Sequence, residues 1–576
     1  MKKLLIYMRD YKKECVLGPL FKLLEASFEL LVPLVMASII DNGIKYSNTG
    51  YIVKAGLILV GLSLIGLVCS ITAQYFSAKA ATGFSANVKH ALFAHIQRLS
   101  FTESDTIGPS TMITRLTSDI NQIQNGVNLT LRLFLRSPFI VFGAMVMAFT
   151  INLKAALIFV VVIPLLSVVV FGIMLISIPL YKKVQMRLDR VLGITRENLT
   201  GIRVIRAFNK EKEEIAEFDE GNERLTSTQL FVGRISGLMN PVTYIIINGA
   251  LLILIQTGAL QVNEGIITQG QVVALVNYMA QILTELIKLA NLIISITKAL
   301  ACAGRVSSVL ETSSSQSFPQ AVPAPVQTED MVVFDHVSLR YSQAGAESLT
   351  DINFRVKKGE TIGIIGGTGS GKSSLVNLIP RFYDITSGKL FIDGINIFDY
   401  PMEQLRRKIG IVMQKAVLFQ GSVRDNLRQG KADATEEEMW NALRLAQAAD
   451  FVEAFANGLD YQISQGGRNL SGGQRQRLTI ARALIRQPEI LILDDSASAL
   501  DYATDAKLRS AIKNMPARPT TFIVSQRAAS LMHADQIIVL EDGKIADMGT
   551  HDALLSSCQV YREIYESQFQ KQSGLA

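Results

Sequence analysis

The segment Gly366–Ser374 reads GGTGSGKSS. It follows the apolar run Thr361–Ile365 and leads into a stretch of helical character that begins near Ser373. A strand, a glycine-rich loop and a helix start form the setting of a phosphate-binding loop of the Walker A type. Gly366, Gly369 and Gly371 let the backbone curl so that successive N–H groups face phosphate oxygens. Lys372 supplies a point charge for the terminal phosphates, and the Ser373 hydroxyl is a ligand of the kind Mg²⁺ prefers. The whole run, with Gly367, Thr368, Ser370 and Ser374, is assigned to phosphate contact. Taken alone, such a match can also be a plain glycine turn; the motifs downstream decide.

Around this loop the composition divides the chain. The 576 residues are enough for about three or four average domains. They are 49% hydrophobic and only 19% charged, with a formal net charge of +7. That is too apolar for an ordinary soluble protein, and the apolar residues crowd into the first three hundred positions. A membrane half followed by a soluble half is expected. The Lys and Arg residues cluster beside apolar spans, so the basic balance reads as membrane topology and not as nucleic-acid binding. Cys15, Cys69, Cys302 and Cys558 have neither metal-ligand spacing nor a disulfide pattern. The apolar stretch after Lys2 and Lys3 ends at Arg9, so no cleavable signal peptide is expected.

Six spans can be drawn: Cys15–Ile40, Ile52–Phe76, Leu133–Ile151, Ala155–Tyr181, Met239–Leu260 and Val272–Ile296. Each is near the roughly twenty residues that cross a bilayer as a helix. The connections Asp41–Tyr51, Ile151–Lys154 and Gln261–Gln271 are short and poor in cations, whereas Ser77–Arg132 and Lys182–Ser236 are long and cation-rich. The positive-inside rule places the long loops, both termini and the soluble half in the cytoplasm. Helical periodicity continues through Ala78–Leu99 and Lys182–Leu192, so the membrane helices are expected to extend into the cytoplasm. Turns are expected near Glu103–Met112 and Gly201–Lys210, where the chain can dock on the soluble half. Charges inside the spans are costly and mark either a cavity or a pairing partner. Lys22, Glu25 and Glu29 share one helix face, as do Glu285 and Lys288. Glu25, Glu29 and Glu285 are candidates for the wall of a substrate cavity that tolerates cations. The alternative is neutralisation by the intrahelical pairs Lys22–Glu25 and Glu285–Lys288, which leaves Glu29 as the unpaired acid.

Residues Glu311–Asp330, rich in Ser, Pro and Gln, read as an exposed linker. Beyond them Val332–Arg340 alternates like a strand and ends at Tyr341. The later motifs fall in order: Gln414 in IGIVMQ, LSGGQ at Leu470–Gln474, ILILD at Ile490–Asp494 and SALD at Ser498–Asp501. Asp494 ends an apolar strand, where its carboxylate can hold Mg²⁺ together with Ser373 and Gln414. In LSGGQ, Ser471, Gly472, Gly473 and Gln474 open a helix whose N–H groups suit a phosphate.

With these motifs the chain resembles an ATP-binding-cassette exporter over its whole length. Residues 1–310 resemble the six-helix membrane domain, and residues 331–576 the α/β P-loop nucleotide-binding domain, joined by the linker 311–330. The resemblance implies ATP and Mg²⁺ as cofactors, Tyr341 as the adenine-stacking residue and Gln414 as a metal contact that responds to the membrane helices. It also implies a dimer in which each LSGGQ completes the ATP site of the other subunit, and therefore that this chain is half a transporter. Membrane lipid and hydrophobic small molecules are the expected partners, with no nucleic acid, and a bacterial cytoplasmic membrane is the expected location.

Two positions depart from the family pattern. The family places Glu, the general base, after the Walker B aspartate; this chain has Asp495. The family's switch histidine is replaced by Gln526, after the strand Thr521–Val524. Asp495 is one methylene short, and an error of about 1 Å in placing a base can cost on the order of a hundredfold. Gln526 can hydrogen-bond a phosphate but cannot carry charge or relay a proton. Gln465 also stands where the family usually has Glu. This combination resembles the degenerate half of heterodimeric bacterial multidrug exporters, whose partner would carry the consensus Glu and His. A homodimeric lipid or peptide exporter, or an ATP-gated regulatory protein, is the alternative.

Overall fold

The structure is a computed structural model that describes residues 3–321, 327–342, 344–496 and 499–569. It divides into two compact units. One comprises Met1–Gln97 with Gly108–Ser313, and the other Arg98–Ile107 with Ser314–Ala576.

Among the described residues, the first unit is built on six helices long and apolar enough to cross a membrane: α1 (Leu4–Ile44), α2 (Thr49–Ile96), α4 (Pro109–Ile151), α5 (Leu153–Ala207), α6 (Glu211–Asn263) and α7 (Gln269–Glu311). At 41 to 55 residues they are about twice the length a bilayer requires, so each has helix to spare beyond the hydrocarbon. Helix α2 shows how sequence sets orientation. Its large apolar residues Leu57, Leu64, Val68 and Ile71 are exposed, while the small Cys69, Ala73, Ser77 and Ala80 are buried. That is membrane logic: lipid solvates leucine well, so helices meet through small residues that permit close approach.

Both expected turns are present, each within its range. Within Glu103–Met112, the first half is a helix, α3 (Phe101–Ile107), and the break comes at Gly108, whose φ of 78° is open to glycine. Within Gly201–Lys210, helix α5 runs on to Ala207 because no breaker follows Gly201. The chain turns at Asn209, with φ of 54°, a residue type that tolerates the left-handed region.

Four of the charges inside the spans form one network, with Lys22 and Glu25 as a separate pair. Arg136 on α4 donates through Nη2 to Glu29 on α1 (2.6 Å) and through Nη1 to Glu285 on α7 (2.7 Å). Glu285 also accepts from Lys288 (2.8 Å) and Ser137 (2.8 Å). Glu29 is therefore not unpaired; a neighbouring helix supplies its partner, which intrahelical spacing could not reveal. Lys22 and Glu25 do pair, at 2.5 Å, and Lys22 also donates to Ser70 on α2.

Among its described residues the second unit contains α3 and twelve strands: β1 (Asp330–Leu339), β2 (Leu349–Lys357), β3 (Thr361–Gly366), β4 (Ser387–Ile392), β5 (Ile395–Asn396), β6 (Ile409–Val412), β7 (Gly421–Ser422), β8 (Gln462–Ile463), β9 (Ile490–Asp494), β10 (Thr520–Val524), β11 (Gln536–Glu541) and β12 (Lys544–Gly549). A four-stranded antiparallel sheet runs β2-β1-β4-β5, and β7 pairs with β8. The sheet that matters most for function runs β12-β11-β3-β10-β9-β6, with every pair parallel except β11–β12. Its central strands are buried on both faces, which accounts for runs such as ILIL with no alternation.

The linker is held more firmly than its composition suggests. Gln316 donates to Asp384 (2.9 Å), and the Phe318 ring lies 4.4 Å from the Arg381 guanidinium, which also meets Phe398 at 4.7 Å. One amide and one ring anchor a segment otherwise read as exposed; residues 322–326 of that linker lie outside the described residues.

Arg136→Met should destabilise the solubilised protein by about 3–5 kcal/mol, because two acids lose a buried cation. Adding Glu285→Gln should recover part of that loss in thermal unfolding, and no recovery would show that the network is not a charge-compensated unit.

Candidate nucleotide-binding site

Strand register assembles the site. Ile364 of β3 pairs with Val524 of β10, and Val524 with Asp494 of β9. Val412 of β6 pairs with Leu493. The loops after four adjacent strands therefore leave the same sheet edge together, and ligands bind at the carboxyl ends of such strands. They bring Lys372, Ser373, Gln414, Asp494, Asp495 and Gln526 to the wall of one cleft of about 610 Å³.

Two glycines are required by space. A Cβ on Gly366 would lie 2.1 Å from the Leu540 carbonyl oxygen on β11, and one on Gly371 would lie 2.8 Å from the Ser348 carbonyl oxygen. Gly371 also has φ of 93° and sets the start of α8 (Lys372–Leu378). Lys372 folds over the loop, donating to the carbonyls of Gly367 (2.6 Å) and Gly366 (3.0 Å). The Ser373 hydroxyl donates to Asp494 at 3.1 Å. A hydroxyl and a buried carboxylate in contact form the hard-oxygen set that fits Mg²⁺. Gln414 hydrogen-bonds Asp495, whose backbone N–H donates to the Val524 carbonyl (3.0 Å) with φ of 47°.

The signature lies elsewhere in the unit, at the N-terminus of α9 (Gly472–Leu484). Ser471 and Gln474 form a reciprocal capping box: Gln474 N–H donates to Ser471 Oγ (3.2 Å) and Ser471 N–H to Gln474 Oε1 (2.9 Å). A Cβ on Gly473 would lie 3.1 Å from the Ala499 carbonyl oxygen, while Gly472 meets open space. Gln465 lies in the short helical turn Gln465–Gly467. Of the segment SALD, Ser498 lies outside the described residues, and Asp501 caps the following helix by accepting from Thr504 N–H at 2.8 Å.

Comparison with known proteins settles the family. The ABC transporter transmembrane region matches residues 15–286, and the ABC transporter nucleotide domain matches residues 349–498. YfiB of Bacillus subtilis, by its name an uncharacterized ABC transporter ATP-binding protein, is 37% identical over 574 residues, spanning all of both chains. The chain belongs to the ABC transporter family. YgaD of the same organism, provisionally named a multidrug export ATP-binding/permease protein, is 31% identical over 99% of each chain. A bacterial Atm1-family ABC exporter, solved with ATP bound, shares the fold at a TM-score of 0.81 and 23% identity, over 97% of this chain and 99% of that one. The protein is thus an ATP-driven ABC exporter half-transporter, with its membrane and ATP-binding domains fused, and members of this class act as dimers.

Within the transporter's cleft, burial raises the pKa of Asp494, and the Asp495 charge adds to the rise while Ser373 and Lys372 oppose it. Burial likewise raises Asp495, against Arg527, Gln414 and Lys372. Burial depresses Lys372, and the two aspartates hold it partly up. Incoming cations and phosphates therefore meet two acids and an ammonium whose charged forms burial disfavours.

Tyr341 is not in the cleft wall. Its hydroxyl donates to Ser374 (3.0 Å), and its ring meets Tyr383 edge-on at 4.9 Å. Tyr383 in turn donates to Asp105 of α3 (2.6 Å), and Phe101 of α3 lies 4.5 Å from Phe382. The expected aromatic is therefore one link in a chain from α3 to the phosphate loop.

Sequence reading missed one residue altogether. Gln568, on α10 (Gln559–Phe569), donates through Nε2 to the Gln526 carbonyl (2.7 Å) and accepts through Oε1 from Ala528 N–H (2.9 Å). A side-chain amide thus clamps the backbone of the switch loop on both sides, and a lone glutamine far along the chain carries no signal of this.

Gln568→Ala should weaken this loop without touching the phosphate cradle. The expected result is faster amide exchange at residues 525–528 with ATP affinity changed less than about threefold; unchanged exchange would rule the clamp out. Because Asp494 must be ionised to hold Mg²⁺ and its pKa is raised, the Mg²⁺-dependent part of ATP binding should fall on acidification at a higher pH than an ordinary carboxylate would give. Asp494→Asn should abolish that part at every pH.

Proposed function

We propose that this chain is the degenerate-site half of an asymmetric exporter of hydrophobic or amphipathic compounds. The observation that carries the reading is the company Asp495 and Gln526 keep. They stand in one cleft with an intact Lys372, Ser373 and Asp494, so the departures fall on the hydrolytic positions and spare the binding ones. Lys372 and the loop N–H groups bind phosphate, and Ser373, Asp494 and Gln414 are the residues that would hold Mg²⁺. That ion, when bound, neutralises phosphate charge. Asp495 orients water from one methylene too far back, and Gln526 offers a hydrogen bond without a proton. ATP in this site acts as a clamp.

The signature has the opposite character. Its capping box orders the start of α9, a helix N-terminus that suits a phosphate held by the other subunit. This chain therefore contributes to the partner's hydrolysis mainly through Ser471 to Gln474. ATP binding draws the nucleotide domains together and turns the cavity outward, and hydrolysis at the partner's site resets it. The multidrug name of YgaD supports the substrate class. The long cation-rich extensions support a cytoplasmic nucleotide domain and cytoplasmic termini in a bacterial membrane.

Gentle purification of the tagged chain from its native membrane should bring down, in equal amounts, a second half-transporter with Glu and His at the two altered positions. A homodimer with robust ATPase activity would end the asymmetric reading. In the assembled pump, Ser471→Ala or Gly473→Asp should cut ATPase activity by roughly a hundredfold. Asp495→Asn should cost no more than about threefold, because turnover runs through the other site. Equal losses would remove the division of labour.

A further inference from the structure

A cavity of about 480 Å³ opens between α1 and α7 in the membrane unit, and Glu29, Glu285 and Lys288 line it. Glu25, paired with Lys22, is not in its wall. Glu285 is almost fully buried and already accepts from three donors: Arg136, Lys288 and Ser137. It has little left to offer. Among the described residues, Glu29 accepts only from Arg136 and keeps 39% of its side chain exposed. Among the same residues, Lys288 donates only to Glu285 and keeps 43% exposed. The cavity thus presents one carboxylate and one ammonium, each with spare hydrogen-bonding capacity. Asn277, Gln281 and Thr284 also line it, and the Gln281 side-chain oxygen meets no donor among the described residues. Val32 and Met36 supply an apolar side.

Charge balance selects the occupant. Glu29, Glu285, Arg136 and Lys288 sum to zero, and a net charge at bilayer depth is costly. A cation added here leaves Lys288 opposed, and an anion leaves Glu29 opposed. A molecule bearing both an ammonium-type and an acidic group satisfies both and keeps the cluster neutral. We propose that this cavity binds zwitterionic amphiphiles, with Glu29 taking the cationic group, Lys288 the anionic group and Val32 and Met36 the apolar body. The proposal rests on the export reading above and narrows its substrate class. The shared chemistry belongs equally to an aminophospholipid headgroup and to a soluble zwitterion.

The test uses the purified transporter in nanodiscs of phosphatidylglycerol, a lipid without an ammonium group. Fluorescence anisotropy compares tetramethylrhodamine free acid, a zwitterion, with its cationic methyl ester and with anionic fluorescein. The free acid should bind about tenfold tighter than either, the value of one charge-assisted contact. Lys288→Gln, at a half-exposed site, should remove the acid's advantage by weakening the acid and strengthening the ester, whose positive charge Lys288 opposes; Glu29→Gln should weaken both. Equal binding of acid and ester by the unaltered protein, or a preference that survives Lys288→Gln, would overturn the proposal. Phosphatidylethanolamine added to the nanodisc should displace the dye if lipid is the occupant and leave it bound if a soluble zwitterion is. ATP-driven movement of the ester without preferential binding of the acid would sink the zwitterion site and leave the export reading standing.

Discussion

The parallel pairing of β3, β10, β9 and β6 is the constraint on which the nucleotide site depends. Parallel strands leave a sheet edge in the same direction, so four segments widely separated in sequence arrive side by side. No single loop has to fold into a site. Each need only be a strand's ordinary exit, and the register supplies the alignment. The buried aspartate, the hydroxyl beside it and the lysine above the loop are consequences of that edge. The cost is the desolvation of two adjacent acids, a tension that a bound cation would relieve.

The membrane unit solves a different problem with different means. Its helices hold their backbone hydrogen bonds internally, so specificity comes from small-residue contacts and from the few charges allowed at depth. Arg136 joins three helices through two carboxylates, and neither acid can be moved without leaving the guanidinium short of a partner.

Much of this was legible in the sequence because it is local. The phosphate loop, the apolar strand ending in Asp494 and the capped helix at Ser471 each carry their signal within a few residues. The long helical extensions were legible from periodicity. What escaped was contact between distant segments. Arg136 pairing with Glu29, Phe318 on Arg381, and Gln568 on the switch loop all join residues whose types are unremarkable where they stand. The two turns were legible as well: the breaks at Gly108 and Asn209 fall within the expected ranges, on residue types that tolerate positive φ.

The Gln568 clamp also sets an order of events during synthesis. The phosphate loop, Gln414 and both aspartates leave the ribosome well before α10, and domains fold as their segments emerge. Until α10 arrives, the switch loop lacks the amide that fixes its backbone. A chain still in production therefore holds an assembled phosphate cradle beside a switch loop whose backbone is not yet fixed.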